Sequence, residues 1–354
     1  MKYAIIGLGA IGGTLAHYLV RTGHDVTATD ADAAHVAAVR QRGLRLVAPD
    51  GTADTVHLPD VTTPGAWPAG ASIAGRCVIV ATKSQHVGAA TRWLSGRIGA
   101  DAFVLLCQNG DAFHHASKHL PADLVASALV NFAADVTEPG VITGGGAGEF
   151  AVGERDGRLS ERVTEVAADF AGFGVTRAST NILGLIWGKR AIAAVLAATA
   201  LADERVCVLI DRHRPVMSAL AAEVLAIADA QGIEPEPVDG IDVCALAPAA
   251  TEPRRRAAFD RLVGFTAGNK PRSGVFRDIA VRKRPTEAGP ELEHLAALAD
   301  AARLEVPAIR ALARIIGELE RGDRQFADAN FLDMVQRAPG GARTISTGGY
   351  PDGD

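Results

Sequence analysis

The chain has little of what marks a secreted, disulfide-rich or metal-centred protein. Its 354 residues include only four cysteines, three methionines and 5% aromatic residues. The cysteines, at positions 77, 107, 207 and 244, form neither a C-x-x-C pair nor the spacing of a zinc site. We therefore expect no metal, and we expect the cysteines to be reduced residues of the core.

A basic surplus and a long apolar run are also missing. The formal net charge is −5, which gives no reason to expect a nucleic-acid partner. The longest apolar stretch, 191–202, is shorter than the roughly eighteen residues that a membrane helix needs, and the first strand begins without a secretory signal. With 48% hydrophobic residues, the composition predicts a soluble, cytoplasmic globular protein.

The length is typical of two domains and a short tail. Residues 1–180 alternate short apolar runs with helical patterns, which predicts an α/β domain of the Rossmann type. Residues 181–336 show Ala- and Leu-rich helical periodicity and predict an all-helical domain. Residues 337–354 are rich in Gly, Pro, Ser and Thr, which predicts a flexible tail.

The first thirty residues carry the strongest motif. Tyr3–Ile6 reads as a buried strand and runs into Gly7-Leu8-Gly9-Ala10-Ile11-Gly12. Gly7 permits a tight turn, Gly9 lets the backbone approach a pyrophosphate, and Gly12 lets the following helix pack closely. The N-terminus of that helix attracts an anion. The alternative is a Gly-rich turn in some other βαβ unit.

Asp30 closes the next predicted strand, eighteen residues after Gly12. An acid at this offset holds the ribose 2′-hydroxyl of NAD and repels the 2′-phosphate of NADP. The nearest basic residues, Arg40 and Arg42, lie a helix farther on. The motif therefore predicts NAD as the cofactor, with NADP as the alternative.

Two further apolar runs, 76–81 and 102–107, end in polar residues. Thr82-Lys83 follows the first and Gln108-Asn109-Gly110 follows the second. Ligands of open α/β sheets bind beyond the carboxyl ends of the strands, so these residues are candidates for the site.

Lys189 is the strongest candidate for chemistry. It follows Ile186-Trp187-Gly188 on a predicted helix, in surroundings that are apolar for a surface lysine. An ammonium group in a cleft can pass a proton to the oxygen of a carbonyl that is being reduced. The alternative is a helix lysine whose stem covers apolar surface while its charge reaches water.

Taken together, these motifs resemble the ketopantoate reductases (2-dehydropantoate 2-reductases). The resemblance covers the chain from Met1 to about residue 335, and its carriers are Gly7–Gly12, Ala81-Thr82-Lys83, Gln108-Asn109-Gly110, Trp187-Gly188-Lys189 and 273–287. It implies that NADPH reduces a 2-oxo acid between a Rossmann domain and a helical domain. It further implies that Lys189 donates the proton, Glu287 helps to fix it, Lys83 and Asn109 line the nicotinamide end, and Ser273 meets the substrate carboxylate.

The sequence departs from this family in three places. Asparagines of the family helix are replaced by Ala193 and Ala197, which share a helix face with Lys189 and offer no side-chain hydrogen bond. Asp30 replaces the surroundings expected for NADPH. The segment 278–287 is one residue longer and carries Arg282-Lys283-Arg284, a run that is also typical of a solvated face.

We therefore expect an NAD-dependent oxidoreductase of this family that interconverts a hydroxyl and a carbonyl on a small anionic substrate other than ketopantoate. Two alternatives stay open. One is NADPH-dependent 2-dehydropantoate 2-reductase, and the other is a non-catalytic sensor of cofactor redox state. The abundance of Ala and Leu in the helical domain predicts a homodimer.

Overall fold

The computed structural model describes residues 1–335 apart from 69, 74, 100, 111, 145–147 and 270, so the predicted tail 337–354 lies outside the described residues. By its internal contacts the chain divides into two compact units. Unit 1 comprises residues 1–190 and 231–243, and unit 2 comprises 191–230 and the described residues from 244 onward. The sequence boundary near residue 180 stays a prediction.

Unit 1 holds the strands. They are β1 Lys2–Ile6, β2 Asp25–Thr29, β3 Leu44–Val47, β4 Ala53–Val56, β5 Val61–Thr62, β6 Cys77–Val80, β7 Phe103–Leu106, β8 Val125–Asn131, β9 Ala134–Glu138, β10 Val141–Gly144, β11 Gly148–Glu154 and β12 Gly174–Ala178. Among the described residues they form an eight-stranded sheet of order β12-β11-β8-β7-β6-β1-β2-β5 and a four-stranded sheet of order β4-β3-β10-β9.

The central strands of the large sheet are parallel. β5, β2, β1, β6, β7 and β8 pair in one direction, and β11 pairs antiparallel with β8. Tyr3 and Ile5 belong to one core cluster, whereas Ala4 and Ile6 belong to another. Because neighbouring residues of a strand point to opposite faces, both faces of this sheet are covered, as parallel sheets require. The carboxyl ends of six strands therefore share one edge.

The helices of the described residues are α1 Ala10–Arg21, α2 Ala33–Arg42, α3 Val87–Leu94, α4 Phe113–Ala116, α5 Glu161–Asp169, α6 Ile182–Ala198, α7 Val206–Arg212, α8 Arg214–Ala230, α9 Glu252–Asn269, α10 Gly274–Phe276, α11 Ala288–Ala302, α12 Pro307–Arg321 and α13 Asn330–Val335. A 3₁₀ turn, Thr199–Leu201, extends α6, and a π-helical turn, Arg277–Val281, follows α10. The change of unit falls inside α6.

Unit 2 is helical throughout its described residues. α11 packs on α12, α7 packs on α9, and α8 contacts both α11 and α12. Pro307 begins α12, and Gly322, with φ +78°, ends it. The carboxylate of Glu223 accepts the N–H groups of Ala308 and Ile309, both at 2.8 Å, and so caps α12. An N-terminal α/β unit and a helical unit confirm the predicted fold class.

One helix of the described residues is long and apolar enough to cross a membrane, judged by length and composition alone. It is Ile182–Leu201, with a mean hydropathy of 1.5, and 78% of its most apolar window is buried inside the protein. The sequence prediction considered only the shorter run 191–202. A core helix of a soluble protein passes the same test, so this helix is weak evidence for a membrane.

Candidate active site

The glycine motif connects β1 to α1, and two of its glycines are required by the fold itself. Gly7 has φ +94°, and a Cβ there would lie 2.8 Å from the backbone nitrogen of Thr82. A Cβ at Gly12 would lie 1.9 Å from the carbonyl oxygen of Gly7. These approaches leave no room for a side chain, so Gly7 and Gly12 allow α1 to pack against the ends of β1 and β6.

Gly9 differs from both, because a Cβ at this position meets no protein atom within 4 Å. Its φ of −67° is accessible to any residue. Gly9 is also the N-cap of α1, and no side chain caps the helix there. The open space therefore lies where the N–H groups and the positive dipole end of α1 would receive a pyrophosphate, and the residues present fit a dinucleotide.

The glycines therefore predict two different mutant phenotypes. Gly9→Ala leaves the fold intact but places a methyl group in the open space. We expect it to raise the Kd for NADH at least about tenfold, with a Tm within about 2 °C of the unaltered protein. Gly12→Ala forces a clash inside the protein and destabilises it by about 1–3 kcal/mol or more.

Fluorescence titration of NADH and thermal unfolding measure the two effects. A Gly9→Ala protein that binds NADH normally, or that loses as much stability as Gly12→Ala, would contradict the assignment of the open space to a ligand.

The carboxylate of Asp30, which follows β2, is hydrogen-bonded to the loop of the glycine motif. Its Oδ2 accepts the N–H of Leu8 at 2.7 Å, and its Oδ1 accepts the N–H of Asp32 at 2.8 Å. The half-buried carboxylate thus joins the end of β2 to the glycine motif, and each oxygen keeps a further lone pair for a ribose hydroxyl. Arg40 and Arg42 are both exposed on α2.

Lys83 and Asn109 follow the carboxyl ends of β6 and β7, which are adjacent strands, and both side chains are exposed. The residue that joins these ends is Gln108, which the sequence analysis named only as part of a polar motif. Its buried amide donates to the carbonyls of Val80 at 2.8 Å and Thr82 at 3.1 Å. The fold therefore brings Lys83 and Asn109 to one edge of the sheet. The hydrogen bonds of Gln108 connect the ends of the two strands there.

Lys189 lies in the second turn of α6 and is half-buried, and its helix neighbours Trp187 and Arg190 are buried. Its Nζ donates a hydrogen bond to the carbonyl oxygen of Val130 at 2.5 Å. Val130 lies on β8, three residues past Ser127, which is the partner of the last residue of β7. The ammonium group is thus held beyond the same edge at which Lys83 and Asn109 lie, which is not the arrangement of a lysine directed into water.

Two polar residues near this point were missed by sequence reasoning. Asn131, the last residue of β8, donates from Nδ2 to Oδ2 of Asp239 at 2.5 Å. The signal that could have drawn attention to Asp239 is the dipeptide Asp239-Gly240, which is typical of a tight turn.

The remaining predicted residues lie in unit 2. Ala193 is exposed and Ala197 is buried, four and eight residues after Lys189 on α6. The buried Ser273 hydroxyl accepts the N–H of Phe276 at 3.2 Å and caps α10. Glu287 is half-buried and directly precedes α11.

The basic run that follows α10 is a solvated face. Arg282 and Arg284 are exposed, and each donates to the carboxylate of Asp278 at 3.0 Å. Their charges are therefore engaged within the run itself.

The expectation that all four cysteines lie in the core is wrong for one of them. Cys77, Cys107 and Cys207 are buried, as expected, but Cys244 is exposed. Burial raises the pKa of the Cys77 and Cys107 thiols, so both stay protonated and unreactive. Among the described residues, no group of three His, Cys, Asp or Glu side chains is arranged to hold a metal ion.

Comparison with known proteins identifies the family of the chain. Residues 3–157 match the family model "Ketopantoate reductase PanE/ApbA", and residues 181–320 match the model of its C-terminal domain. A 2-dehydropantoate 2-reductase of Halobacterium salinarum is 31% identical over 328 residues, which cover 91% of this chain and 99% of that protein. One of Pyrococcus horikoshii is 31% identical over 192 residues, covering 53% and 60%.

Solved structures share the fold. A PanE/ApbA family ketopantoate reductase of Ralstonia eutropha has a TM-score of 0.72 at 25% identity, covering 92% of this chain and 100% of that one. D-Mandelate dehydrogenase, solved with NADH and anilino(oxo)acetate, has a TM-score of 0.75 at 18% identity, covering 91% and 99%. Because it matches both family models and is 31% identical to the Halobacterium salinarum protein, the chain belongs to the ketopantoate reductase family and is an NAD(P)-dependent oxidoreductase acting on a CH–OH or C=O group.

Proposed function

We propose that this enzyme interconverts a small 2-oxo acid other than ketopantoate and the corresponding 2-hydroxy acid, with a preference for NAD(H), and that Lys189 carries the proton. The observation that supports this most is the ammonium group of Lys189, held by the carbonyl of Val130 beyond the carboxyl edge of the parallel sheet. Ligands of such sheets bind at this edge.

The proton chemistry follows from the position of Lys189. When bound, the nicotinamide cofactor supplies or accepts a hydride at the substrate carbon. The ammonium group donates to Val130, and we propose that it also donates to the substrate oxygen when the substrate is bound. In reduction Lys189 gives a proton to that oxygen, and in oxidation it takes the proton back.

The other proposed roles follow the family resemblance. We assign Lys83 and Asn109 to the nicotinamide end and the substrate, Ser273 to the substrate carboxylate, and Glu287 to fixing Lys189. The hydroxyl of Ser273 already caps α10, and a serine oxygen retains the capacity for one further hydrogen bond as donor.

The cofactor preference depends on Asp30. Its carboxylate is fixed by the N–H groups of Leu8 and Asp32, so it cannot easily turn away from a 2′-phosphate.

The substrate preference depends on Ala193 and Ala197. Ala193 presents only an exposed methyl group one turn after Lys189. A hydroxyl group placed there would gain no side-chain hydrogen bond, so we expect substrates whose substituent at this place is apolar.

The second candidate is 2-dehydropantoate 2-reductase with NADPH. The Halobacterium salinarum relative with that name is aligned along 99% of its length and supports it. Membership of an enzyme family favours both candidates over the non-catalytic sensor.

Turnover measurements separate these functions. Phenylglyoxylate, 2-oxoisovalerate and 2-dehydropantoate would be assayed with NADH and with NADPH, and the corresponding 2-hydroxy acids with NAD⁺ and NADP⁺. Our proposal predicts the highest kcat/KM with NAD(H) and an acid other than ketopantoate. Highest activity with 2-dehydropantoate and NADPH would establish the second candidate instead.

Replacement of Asp30 tests the cofactor preference. Asp30→Asn keeps an oxygen that can accept the N–H of Leu8 but removes the negative charge. We expect the ratio of Kd for NADPH to Kd for NADH to fall about tenfold or more, because the repulsion of the 2′-phosphate is lost. Titration of both reduced cofactors by fluorescence measures this ratio.

Asp32→Asn is the matched control, since asparagine also caps α2 in place of Asp32, which accepts the N–H groups of Ala34 and His35. An equal change of the ratio in both variants would remove Asp30 as the determinant.

The homodimer and the cytoplasmic location stay predictions. Light scattering during size-exclusion chromatography tests the first, and fractionation of cells tests the second.

A further inference from the structure

A short turn of unit 1, Val238–Ile241, lies next to the helix that carries Lys189. Val238 and Ile241 exchange two backbone hydrogen bonds, at 3.2 and 2.9 Å. Asp239 and Gly240, with φ of +54° and +72°, form the tip between them. Two successive residues with positive φ are typical of the tightest hairpin turns, and Asp and Gly both tolerate this conformation. The tip therefore has a defined geometry.

The segment before this turn is fixed to α6. The N–H of Glu236 donates to the carbonyl of Gly184 at 3.0 Å, and Nδ2 of Asn181 donates to the carbonyl of Glu234 at 2.9 Å. A Cβ at Gly188 would lie 2.2 Å from the carbonyl oxygen of Glu236. The glycine that precedes Lys189 thus permits this segment to lie directly against the helix.

The tip also reaches the strand on which Lys189 rests. Asp239 accepts the hydrogen bond of Asn131 at 2.5 Å, and Lys189 donates to the carbonyl of Val130, the preceding residue, at 2.5 Å. Both contacts are part-buried, so water competes less for them than at an open surface. The last two residues of β8 therefore contact the turn and the lysine, one residue each.

We propose that Asp239 is a positioning residue for the proton relay: by accepting the hydrogen bond of Asn131 it fixes the end of β8, and with it the carbonyl of Val130 that orients the ammonium of Lys189. This inference rests on the proposed role of Lys189. Asp239 itself exchanges no proton with substrate and need not touch it.

The turn alone does not require an acid, which makes the proposal testable. Glycine tolerates φ +54° and keeps the turn, but it offers no acceptor to Asn131. Asparagine tolerates the same conformation and keeps an acceptor oxygen. Asp239→Gly and Asp239→Asn therefore differ in the acceptor while both preserve the turn.

We expect Asp239→Gly to lower kcat about 10- to 100-fold, since small displacements of a catalytic group cost this much, and to leave the KM for the 2-oxo acid within about threefold. Asp239→Asn should stay within about threefold of the unaltered kcat. The control Glu234→Gln, at an exposed acid of the same segment, should change nothing. The substrate is the 2-oxo acid of the panel above on which the enzyme is most active.

A double-mutant cycle isolates the contact. If Asp239 acts through Asn131, the double variant Asn131→Ala with Asp239→Gly loses no more activity than the more affected single variant. Multiplicative losses, or equal losses in Asp239→Gly and Asp239→Asn, would overturn the proposal.

A second measurement does not depend on any substrate. Reductive methylation with formaldehyde, followed by mass spectrometry, gives the reaction rate of each lysine. In Asp239→Gly we expect Lys189 to react at least about threefold faster relative to Lys2 and Lys118, because its amine is less firmly held. An unchanged relative rate would overturn the positioning role. A faster rate in an enzyme that reduces none of the panel acids would keep this inference and reject the proposed function.

Discussion

Lys189→Met is expected to lower kcat about 10²- to 10⁴-fold, the usual contribution of a positioned general acid or base. Methionine has a similar length and fits the apolar surroundings of Trp187, but it can neither donate to the carbonyl of Val130 nor transfer a proton. The binding of NADH should stay within about threefold, because we assign most of its contacts to the glycine motif and Asp30. Steady-state kinetics and NADH titration measure the two effects.

Two further variants show whether the loss of kcat is caused by the loss of proton transfer or by the loss of positive charge. Lys189→Arg keeps a positive charge that does not lose its proton, so a loss as large as that of Lys189→Met points to proton transfer and not to charge. Lys118→Met, at an exposed lysine, is the control. Unchanged kcat in Lys189→Met would remove the proton relay from the mechanism.

Arg162→Leu is expected to destabilise the protein by about 3–5 kcal/mol, the cost of leaving a buried charge without its partner. The guanidinium of Arg162 donates two hydrogen bonds of 2.6 Å to the carboxylate of Glu154, which is 3% exposed and also accepts the hydroxyl of Ser160 at 2.6 Å. Denaturant unfolding measures the difference. Arg158→Leu is the control, because its pair with Asp156 is largely exposed and contributes at most about 1 kcal/mol.

The contribution of the Glu154 pair depends on pH in a defined direction. Burial raises the pKa of the Glu154 carboxyl, but the hydrogen bonds from Arg162 and Ser160, together with nearby guanidinium charges, outweigh burial and leave the pKa below its ordinary value of 4.5. A lowered pKa in the folded state stabilises the protein above the unfolded value, and this stabilisation is lost as the pH falls through the folded value. We therefore expect the difference in unfolding free energy between the unaltered protein and Arg162→Leu to be constant near neutral pH and to shrink on acidification. The decrease begins above the ordinary carboxyl pKa, because burial without Arg162 raises the pKa of Glu154 in the variant.

Unfolding titrations at several pH values test this dependence. A difference that grows on acidification, or Arg162→Leu no less stable than Arg158→Leu, would show that the ion pair is not the stabilising element.

Local motifs of the sequence were sufficient for the fold class and for part of the candidate site. The strand, the glycine motif and Asp30 lie within thirty residues, and Gly7 and Gly12 meet steric requirements that their neighbours impose. The apolar runs that end at Thr82 and Gln108 predicted two parallel strands with polar ends, and the structure places them side by side. The prediction of four core cysteines was wrong at Cys244, which lies in the short apolar turn Val243–Leu246 and is exposed although Val243 and Ala245 are buried. Residue type alone does not show which side chain of such a turn faces solvent.

Contacts between distant parts of the chain could not be predicted from local sequence motifs. Lys189 and Val130 are 59 residues apart, and Asn131 and Asp239 are 108 apart. Every residue has a backbone carbonyl, so the sequence could not show that the carbonyl of Val130 is the partner of Lys189. Gln108 was noted only as part of a motif, whereas the structure shows that it joins two strands.

The sequence by itself determined the dinucleotide motif, the order of the two units and the lysine that the resemblance singles out, because these depend on residue types at short spacing. Only the tertiary structure decided which oxygen holds that lysine, which glycine leaves space for a ligand, and that Asp239 reaches the end of β8. The physical reason is that hydrogen bonds and steric limits act through space, and the chain brings these groups together only when the parallel sheet and α6 have formed.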